Sequence, residues 1–414
     1  MTTTGHGTPS PLRAALRPAA LLLPESGIVR VMNHGIGKQG LIPLWVGEGD
    51  VATPAFIVEA AATSMRAGET FYTQQRGLPE LRDALAAYHK RLYPGVDNLM
   101  LDRERFFVTG SGMQAILIAL QSIAGSGDQI VMPTPAWPNF AAAMQILEAE
   151  PVCVPMSLQA NGPGTRAWRL DLDALFTACG PKTRAIFINS PSNPTGWTAT
   201  RAELRAILDF TRARGLWLVA DEVYNRFYYA SGVDGHFGIA PSFYEFAEPQ
   251  DRLIMLNTFS KNWAMTGWRV GWMNAPVEIG QVIENLVQYN TSGVAVFMQR
   301  AAVAALEQGE PFVAEQIARA ARGREIVSVA LSPFERVQFA KPDGAFYMLF
   351  SLTGRADSMA LALRLVDEAG VGLAPGTAFG PGGEHCLRLC FARSETSLIA
   401  AMDCLTRWLK VLRV

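Results

Sequence analysis

Residues 185–220 begin with AIFIN and end with LWLVA, two short apolar runs that predict buried β-strands. Between these runs, Arg201–Arg214 has apolar residues at helical spacing. An alternation of strand, helix and strand predicts a mostly parallel sheet with helices on both faces. In such sheets, ligands bind beyond the carboxyl ends of the strands. Polar motifs that carry chemistry should therefore directly follow the strands.

The alternation continues toward the C-terminus and predicts an α/β fold. Leu253–Asn257 (LIMLN) and Val270–Met273 are further strand candidates. The pattern predicts one long helical region over Val282–Glu307, a charged helix over Pro311–Val329 and a mixed α/β segment from Phe334 onward. We therefore predict three parts: an N-terminal arm that packs partly with the small domain (1–46), a large domain with the parallel sheet (47–305) and a smaller α+β domain (306–414).

Composition excludes several classes of protein. The 414 residues are 49% hydrophobic and 18% charged, with a net charge of −1, so nothing favours a nucleic-acid partner. Five scattered cysteines do not form a disulfide framework, and neither they nor the five histidines predict a metal site. No apolar run reaches the roughly 18 residues of a membrane span. The first 24 residues lack acids and predict a flexible arm rather than a transit peptide. A cytoplasmic location is therefore the default expectation.

The segment SKNWAMTGWRVGW (residues 260–272) places Lys261 in an apolar, Trp-rich setting. Burial disfavours the charged ammonium and lowers the pKa of a lysine. The neutral amine is the form that attacks a carbonyl group to make a Schiff base. Arg269 follows eight residues later and offers a fixed cation for a phosphate. Taken alone, the pair also fits a surface lysine and a structural arginine.

Two polar segments directly follow the paired strands. NSPSNPTG (residues 189–196) comes after the first strand and predicts a tight turn, in which either proline bond can be cis. DEVY (residues 221–224) comes at the end of the second strand. A carboxylate there can pair with a ring nitrogen, and the phenol can donate to a nearby oxygen. A turn and a solvated strand-end carboxylate are the plainer alternatives.

A third segment, TGSGM (residues 109–113), precedes the apolar helical pattern of Gln114–Ile123. Backbone N–H groups at the start of such a helix can hold a phosphate. Trp137, in the segment PAW, offers a flat face on which a heterocycle can stack, and core packing is the equal alternative.

NPTG, DEVY and S-K-x₇-R, in this order and at these distances, resemble the class I aminotransferases, of the aspartate and aromatic type, among the fold-type I enzymes that use pyridoxal 5′-phosphate. The resemblance runs from about Ile42 to Leu405. It implies that Lys261 holds the cofactor as an aldimine and carries the proton. It also implies that Asp221 pairs with the pyridinium nitrogen, and that Asn193 and Tyr224 bond the phenolic oxygen.

The resemblance assigns the remaining cofactor contacts as well. The phosphate is expected to bind Ser111, Gly112, the backbone of Met113, Thr258 and Arg269. Met113 departs from relatives that have a polar side chain there. The resemblance places the ring of Trp137 against the cofactor. It places Tyr72 against the phosphate of a neighbouring subunit, which implies a homodimer with shared sites.

For the substrate, the resemblance implies that Arg388 binds the α-carboxylate. The guanidinium fork suits this role because it binds a carboxylate through two hydrogen bonds. Gly47 is expected near the same carboxylate, together with Asn193. The loop Phe379–Gly383 is expected to approach the strand of Arg388. These residues place the substrate between the two domains.

The implied reaction is ping-pong transfer of an amino group from an L-amino acid to a 2-oxo acid, with 2-oxoglutarate as the expected acceptor. A pyridoxal-phosphate-dependent C–S β-lyase is the main alternative, although intact NPTG and MTGWR segments argue against it. An aminocyclopropane-carboxylate synthase is a rarer alternative. A regulator that binds DNA is not expected, because only about 40 residues precede the first motif and a DNA-binding module needs roughly 60 or more.

Substrate preference is the least determined feature of the sequence. Trp45, Phe71, Trp137 and Phe140 lie near the motifs and favour a broad or hydrophobic amino acid. A dicarboxylic substrate needs a further cation. Arg76 and Lys38 are conceivable for this role, but both are predicted to be solvated surface charges.

Overall fold

The computed structural model describes residues 11–230, 238–354 and 357–412. Within these ranges the chain forms a seven-stranded sheet, a four-stranded sheet and two two-stranded pairs. The strands are β1 Ile42–Pro43, β2 Phe106–Thr109, β3 Gln129–Thr134, β4 Glu150–Pro155, β5 Ser157–Ala160, β6 Arg166–Arg169, β7 Thr183–Asn189, β8 Trp217–Asp221, β9 Leu253–Thr258, β10 Gly271–Asn274, β11 Val337–Phe339, β12 Tyr347–Leu352, β13 Val371–Gly372, β14 Ala374–Pro375 and β15 Cys386–Cys390.

The α-helices in the described ranges surround these sheets. They are α1 Pro11–Ala14, α2 Pro18–Leu21, α3 Gly27–Gly35, α4 Ala55–Arg66, α5 Pro79–Leu92, α6 Gly112–Ile123, α7 Pro138–Ile146, α8 Leu172–Thr177, α9 Arg201–Arg214, α10 Phe259–Asn262, α11 Gly280–Thr291, α12 Val296–Gln308, α13 Glu310–Leu331, α14 Ser358–Arg364 and α15 Glu395–Val411. None of the described helices is long and apolar enough to cross a membrane.

The large sheet confirms the predicted α/β class. Its strand order is β2-β10-β9-β8-β7-β3-β4, and β10 runs antiparallel to both of its neighbours while the remaining pairs are parallel. Every residue of β8 beyond its first is buried, as are all six of β9. Strands buried on both faces have the continuous apolar runs that the sequence showed. The carboxyl ends of β7, β8 and β9 therefore share one edge of the sheet.

Helix α9 has the bounds that the sequence predicted. Thr200 and Glu203 form a reciprocal capping box at its start, and Gly215 ends it in a left-handed conformation with a φ of 63°. Leu204, Ile207 and Leu208 are buried and belong to the same apolar cluster as Leu218 of β8. Burial of this stripe fixes the helix against the sheet.

The prediction of a single helical region over Val282–Glu307 is wrong. The chain forms α11 and α12 instead, separated by residues 292–295. Ser292 and Gly293 have φ values of 56° and 99°, so neither can continue a right-handed helix. Ser292 donates its backbone N–H to the carbonyls of Val287 and Gln288 and so caps α11. Gly293 tolerates a positive φ without steric cost. The apolar spacing on both sides of it had predicted one continuous helix.

The C-terminal part forms the antiparallel sheet β11-β12-β15-β14, whose buried apolar residues share one cluster with those of α13 and α15. This agrees with the predicted α+β character of the segment. Helix α3 contacts α14 and β14, and β1 pairs with β13, so residues 27–43 join the C-terminal part. Helix α2 instead contacts α7 of the large sheet region. The domain boundaries at residues 46 and 305 stay a prediction. Of the 24 residues predicted to form a flexible arm, the first 10 lie outside the described ranges, and the rest include the short helices α1 and α2.

Candidate active site

The carboxyl ends of β7 and β8 meet in register, with Asn189 opposite Asp221. The NSPSNPTG turn follows β7, and both its Ser190–Pro191 and Asn193–Pro194 bonds are cis. A cavity of about 420 Å³ opens at this edge of the sheet. It is lined by the predicted residues Gly47, Gly112, Met113, Trp137, Asn193, Asp221, Tyr224, Thr258, Lys261, Arg269 and Arg388.

Lys261 lies in the short helix α10, directly after β9. Its Nζ donates to the carbonyl oxygen of Gly47 over 2.8 Å. The buried rings of Phe259 and Trp263 belong to the same short segment. Burial lowers the pKa of Lys261 to about 8 because the charged ammonium loses its hydration. A substantial neutral fraction is therefore present near neutral pH.

Asp221 ends β8 and is buried, with a side chain that receives one backbone N–H bond, from Val223 to Oδ1 over 3.1 Å. Burial raises the pKa of Asp221 to about 7, although the Lys261 ammonium acts in the opposite direction. No ion pair to Asp221 is present in the described ranges. A buried carboxylate with so little compensation is suited to a cationic or protonated partner inside the cavity.

Arg388 lies in the middle of β15 and is buried. Its Nη1 donates to Oδ1 of Asn193 over 3.0 Å, and its Nη2 donates to the carbonyl oxygen of Trp45. The guanidinium also lies 4.7 Å from the ring centre of Tyr347 and 4.9 Å from that of Phe379. Nε is buried without a hydrogen-bond partner. Within the described residues this arginine has no carboxylate partner. It is therefore available to donate hydrogen bonds to the carboxylate of a ligand.

Tyr224 bonds Tyr347 through their hydroxyl groups, which are 2.8 Å apart. Burial raises the pKa of both phenols, so both are protonated at neutral pH. The hydroxyl of Tyr347 also lies beside Gly47, where an added Cβ would be 2.2 Å from it. Only glycine fits at position 47, and its backbone therefore approaches the cavity closely.

The residues expected to bind the phosphate adjoin the N-terminus of α6. Ser111 caps this helix by accepting from the backbone N–H of Gln114 over 3.0 Å. The chain is tightly packed here, since a Cβ on Gly271 would lie 2.6 Å from the backbone nitrogen of Gly112. Thr258 and Arg269 line the same cavity, and Arg269 forms no ion pair within the described ranges. The Nη1 of Arg269 donates to the carbonyl oxygen of Thr266 over 2.5 Å, which orients the guanidinium. Helix N–H groups and a guanidinium without an acidic partner are a donor set that fits a phosphate.

Trp137 precedes α7 and lines the cavity together with Phe140. Their rings are 5.4 Å apart and nearly perpendicular. The prediction that Trp137 offers an aromatic face to a ligand therefore fits its position. The Thr134–Pro135 bond just before it is cis, which the sequence did not indicate.

Other predicted residues lie elsewhere. Tyr72 and Phe71 are 91% and 81% exposed and do not line the cavity. Phe71 is therefore excluded from the substrate pocket of this subunit. The expectation that Arg76 is a solvated charge is wrong, because it is largely buried, pairs with Glu104 and Glu284, and lies 4.8 Å from the ring centre of Phe107. Lys38 is paired with Asp367 on the surface, in agreement with expectation.

Sequence reasoning missed several residues of this cavity. Tyr347 was one of them, and the only signal for it was its place in a strand-like run, FYMLF, which indicates packing rather than a site. Ile28, Val29 and Met32 of α3 also line the cavity, although they are far in sequence from the segments TGSGM, NSPSNPTG and DEVY. An apolar helical stripe does not reveal which surface it will contact.

Comparison with known proteins identifies close structural and sequence relatives. Residues 39–403 match the family of class I and II aminotransferases. The chain is 32% identical to the aspartate aminotransferase of Pyrococcus horikoshii, over 92% of this chain and 94% of that protein. It is 33% identical to aromatic-amino-acid aminotransferase 2 of Thermococcus litoralis, over 96% and 98% of the two chains.

Solved structures give the same result. The Thermus thermophilus aspartate aminotransferase bound to maleate superimposes with a TM-score of 0.83, at 28% identity over 95% of this chain and 99% of that one. An aromatic aminotransferase from Pyrococcus horikoshii gives 0.80, at 32% identity over 92% and 98%. The family match spans most of the chain and includes all the motifs that converge on the cavity. The chain belongs to the class I and II aminotransferases, a family of fold-type I enzymes that use pyridoxal 5′-phosphate.

Proposed function

We propose that this aminotransferase binds pyridoxal 5′-phosphate in the cavity and moves the amino group of an L-amino acid to a 2-oxo acid by a ping-pong mechanism. The observation that carries the proposal is the presence of a desolvated amine and a buried carboxylate in the same cavity. Lys261 has a pKa of about 8 and Asp221 a pKa of about 7, in one cavity that opens at the strand ends. Such opposed shifts in one cleft are typical of a reaction centre.

The residues of the cavity fit each part of the cofactor. Lys261 would hold the aldehyde carbon, and the Asp221 carboxylate would pair with the ring nitrogen and keep it protonated. Asn193 and Tyr224 would donate to the phenolic oxygen, and Trp137 would cover a face of the ring. The phosphate would lie in the cradle made by Ser111, Gly112, the Met113 backbone, Thr258 and Arg269. Bound there, the cofactor supplies an electron sink that lets an amino group leave one substrate and join another.

Substrate binding and proton transfer would be carried out by side chains of this protein. Arg388 would bind the substrate α-carboxylate through its guanidinium, since Nε has no partner and the other nitrogens are already oriented by Asn193 and the Trp45 carbonyl. Lys261 would move a proton to and from the substrate Cα as a general base and acid. Its nearly neutral pKa suits both directions. Two buried tyrosines next to it would help to exclude water.

We further propose a homodimer, in which Tyr72 of one subunit reaches the phosphate of the other. Phe71, Tyr72 and Tyr289 are 81%, 91% and 86% exposed, which is unusual for three large rings. Their segments adjoin each other, because the Gln75 amide donates to Gln288 over 2.6 Å. A second copy of the chain would bury these rings.

A single-turnover experiment tests the proposal. The protein is loaded with pyridoxal 5′-phosphate and given one donor amino acid without any 2-oxo acid. The expected result is one equivalent of the donor's 2-oxo acid per site, with the cofactor left in its amine form. Addition of 2-oxoglutarate, the acceptor that we propose, should regenerate the starting spectrum. Continuous release of pyruvate and ammonia from a cysteine conjugate would instead indicate a lyase.

A further inference from the structure

Three apolar side chains of helix α3 line the active-site cavity: Ile28, Val29 and Met32, which we call the N-terminal wall. Ile28 and Met32 are four residues apart and so lie on one face of the helix. The helix is fixed by Val31 and Gly35, which are buried. A Cβ on Gly35 would lie 2.4 Å from the Trp45 ring, so the contact leaves no space for movement toward that side. The wall is therefore held in place by packing.

The large sheet region adds further apolar groups to this part of the cavity. Met113 and Ile116 come from the first turns of α6, and Phe140 comes from α7. The Met113 sulfur accepts a hydrogen bond from the Asn139 amide, at 3.7 Å. Apolar surface thus dominates the part of the cavity that the cofactor contacts do not use. Such surface favours an apolar ligand.

The charges that this chain's described residues contribute to the cavity lining leave no cation for a second substrate carboxylate. Among its described residues the cations are Lys261, Arg269 and Arg388. The proposed function uses the first for the reaction, the second for the phosphate and the third for the α-carboxylate. The acids in the lining are Asp221 and Glu48, and either would repel another carboxylate.

Arg76, Lys38 and Ser26 do not supply the missing cation. Arg76 is neutralised by Glu104 and Glu284, and Lys38 by Asp367, and neither lines the cavity. Ser26 does line the cavity, but its hydroxyl caps α3 by accepting from the Val29 N–H, at 3.4 Å. One hydroxyl does not neutralise a buried carboxylate.

We propose that the N-terminal wall and Met113 form the subsite for the substrate side chain, and that this subsite selects large apolar amino acids, aliphatic or aromatic, over dicarboxylic ones. The inference rests on the proposed function and narrows its donor. It separates this chain from the relatives that are named for aspartate. The aspartate side chain would place its carboxylate directly among Ile28, Val29 and Met32.

The proposed acceptor, 2-oxoglutarate, is compatible with such a subsite. Its second carboxylate is one methylene farther from the reacting carbon than that of aspartate. Val29 is 41% exposed, so the wall has a side that is open to water. The longer chain lets the second carboxylate stay hydrated there, which gives the expected order of donors: apolar amino acids first, then glutamate, then aspartate.

Donor selectivity of the loaded enzyme tests the inference. We expect kcat/KM for phenylalanine and leucine to exceed that for aspartate by about 100-fold or more. A preference for aspartate over both would overturn this inference alone, because donor turnover would still support the proposed function. Failure of every donor to convert the bound cofactor would overturn the proposed function as well.

The Met32→Ala variant tests whether the N-terminal wall causes the preference for apolar donors. It should lower kcat/KM for phenylalanine and leucine by about 10-fold but change that for alanine by less than about twofold, because the alanine methyl group is too short to fill the subsite. Arg30→Ala, on the exposed side of the same helix, is the matched control and should change neither. Equal losses for phenylalanine and alanine would contradict the assignment.

Two further measurements do not depend on the stability of that variant. In the unmodified enzyme, 3-phenylpropionate should perturb the cofactor spectrum at a concentration about 10-fold lower than succinate does, and the reverse order would contradict the inference. Met113→Lys, which keeps an unbranched side chain but adds a cation, should raise the ratio of aspartate to phenylalanine kcat/KM by about 10-fold or more. An unchanged ratio would remove Met113 from the subsite.

Discussion

The polar floor of the cavity, made of Asn193, Asp221, Lys261 and Arg388, is built quite differently from its N-terminal wall. Asp221 ends β8 and Arg388 lies within β15, while Asn193 and Lys261 come within four residues after β7 and β9. All four are buried or nearly so. Their positions are fixed by hydrogen bonds such as that from Arg388 to Asn193. The wall belongs to a single nine-residue helix that is partly open to water. It touches the cavity through side chains that form no directional bonds.

This contrast separates chemistry from selection. Because the floor residues are mutually oriented and desolvated, a change in any of them should lower turnover for every donor. Wall residues act through shape and apolar area, so changes there should alter the ranking of donors instead. Turnover of floor variants with several donors and the donor ranking of wall variants therefore test the two roles separately.

The largest effect is expected for Lys261→Ala. Removal of the amine takes away both the group that holds the cofactor and the proton carrier, so kcat should fall by about 10⁴-fold with apolar and short donors alike. The measurement is single-turnover rate with phenylalanine and with alanine. Lys182→Ala, at an exposed position, is the control. A loss confined to one donor would show that Lys261 belongs to substrate selection.

Asp221→Asn should change the stability of the cofactor-free protein in a pH-dependent way. The native pKa of Asp221, about 7, is above its usual value of 3.8. The stability that comes from the protonated form is therefore complete below pH 4 and is lost as pH rises toward 7. Asparagine cannot ionise, so the variant should be more stable by about 4 kcal/mol at pH 8 and by little near pH 4.

Urea unfolding of both cofactor-free proteins across this pH range measures the difference. The same variant should bind pyridoxal 5′-phosphate less tightly, which separates its effect on the site from its effect on the fold. A stability difference that does not vary with pH would mean that the Asp221 carboxyl is already hydrated, and would contradict its place in the buried floor.

Arg388→Lys should raise KM for all α-amino acid donors. We expect kcat/KM to fall by about 100-fold for each of them. Lysine keeps the charge but loses the planar fork that binds a carboxylate through two hydrogen bonds. The ratio of phenylalanine to alanine kcat/KM should stay within about threefold of its original value. Arg322→Lys, at an exposed ion pair with Glu395, is the control. A change in donor ranking without a general loss would place Arg388 in the side-chain subsite.

The smallest effect is expected for Tyr347→Phe. The phenol bonds Tyr224 over 2.8 Å, and its loss leaves the Tyr224 hydroxyl without this partner. We expect a fall in kcat of about 10-fold together with a shift in the pH profile of the cofactor absorbance. Tyr228→Phe, outside the cavity lining, provides the comparison. An unchanged pH profile would limit Tyr347 to packing.

Most of the floor could be predicted from the sequence because Asn193, Asp221 and Lys261 follow recognisable strands, whereas Arg388 was assigned through the family resemblance alone. Asp221 and Lys261 each come at the end of an apolar run, and the topology of a parallel sheet brings such ends together. The wall could not be predicted in this way, since Ile28 and Met32 show an apolar helical stripe that fits many partners. Arg76 was misjudged for a similar reason: ion pairs with Glu104 and Glu284 depend on tertiary contacts. The Ser292-Gly293 dipeptide did signal a turn, but the apolar spacing on both sides of it was taken as one continuous helix.

Neutral amine at Lys261 is the central feature of this account. With a pKa of about 8, roughly a tenth of the amine is neutral at pH 7, about 300 times more than at the usual lysine pKa of 10.5. Borohydride reduction of the protein loaded with pyridoxal 5′-phosphate, followed by peptide mass analysis, locates the attached group. We expect a phosphopyridoxyl group on the peptide that contains Lys261 and nowhere else. Attachment to a different lysine, or no attachment under conditions that saturate the protein, would contradict it.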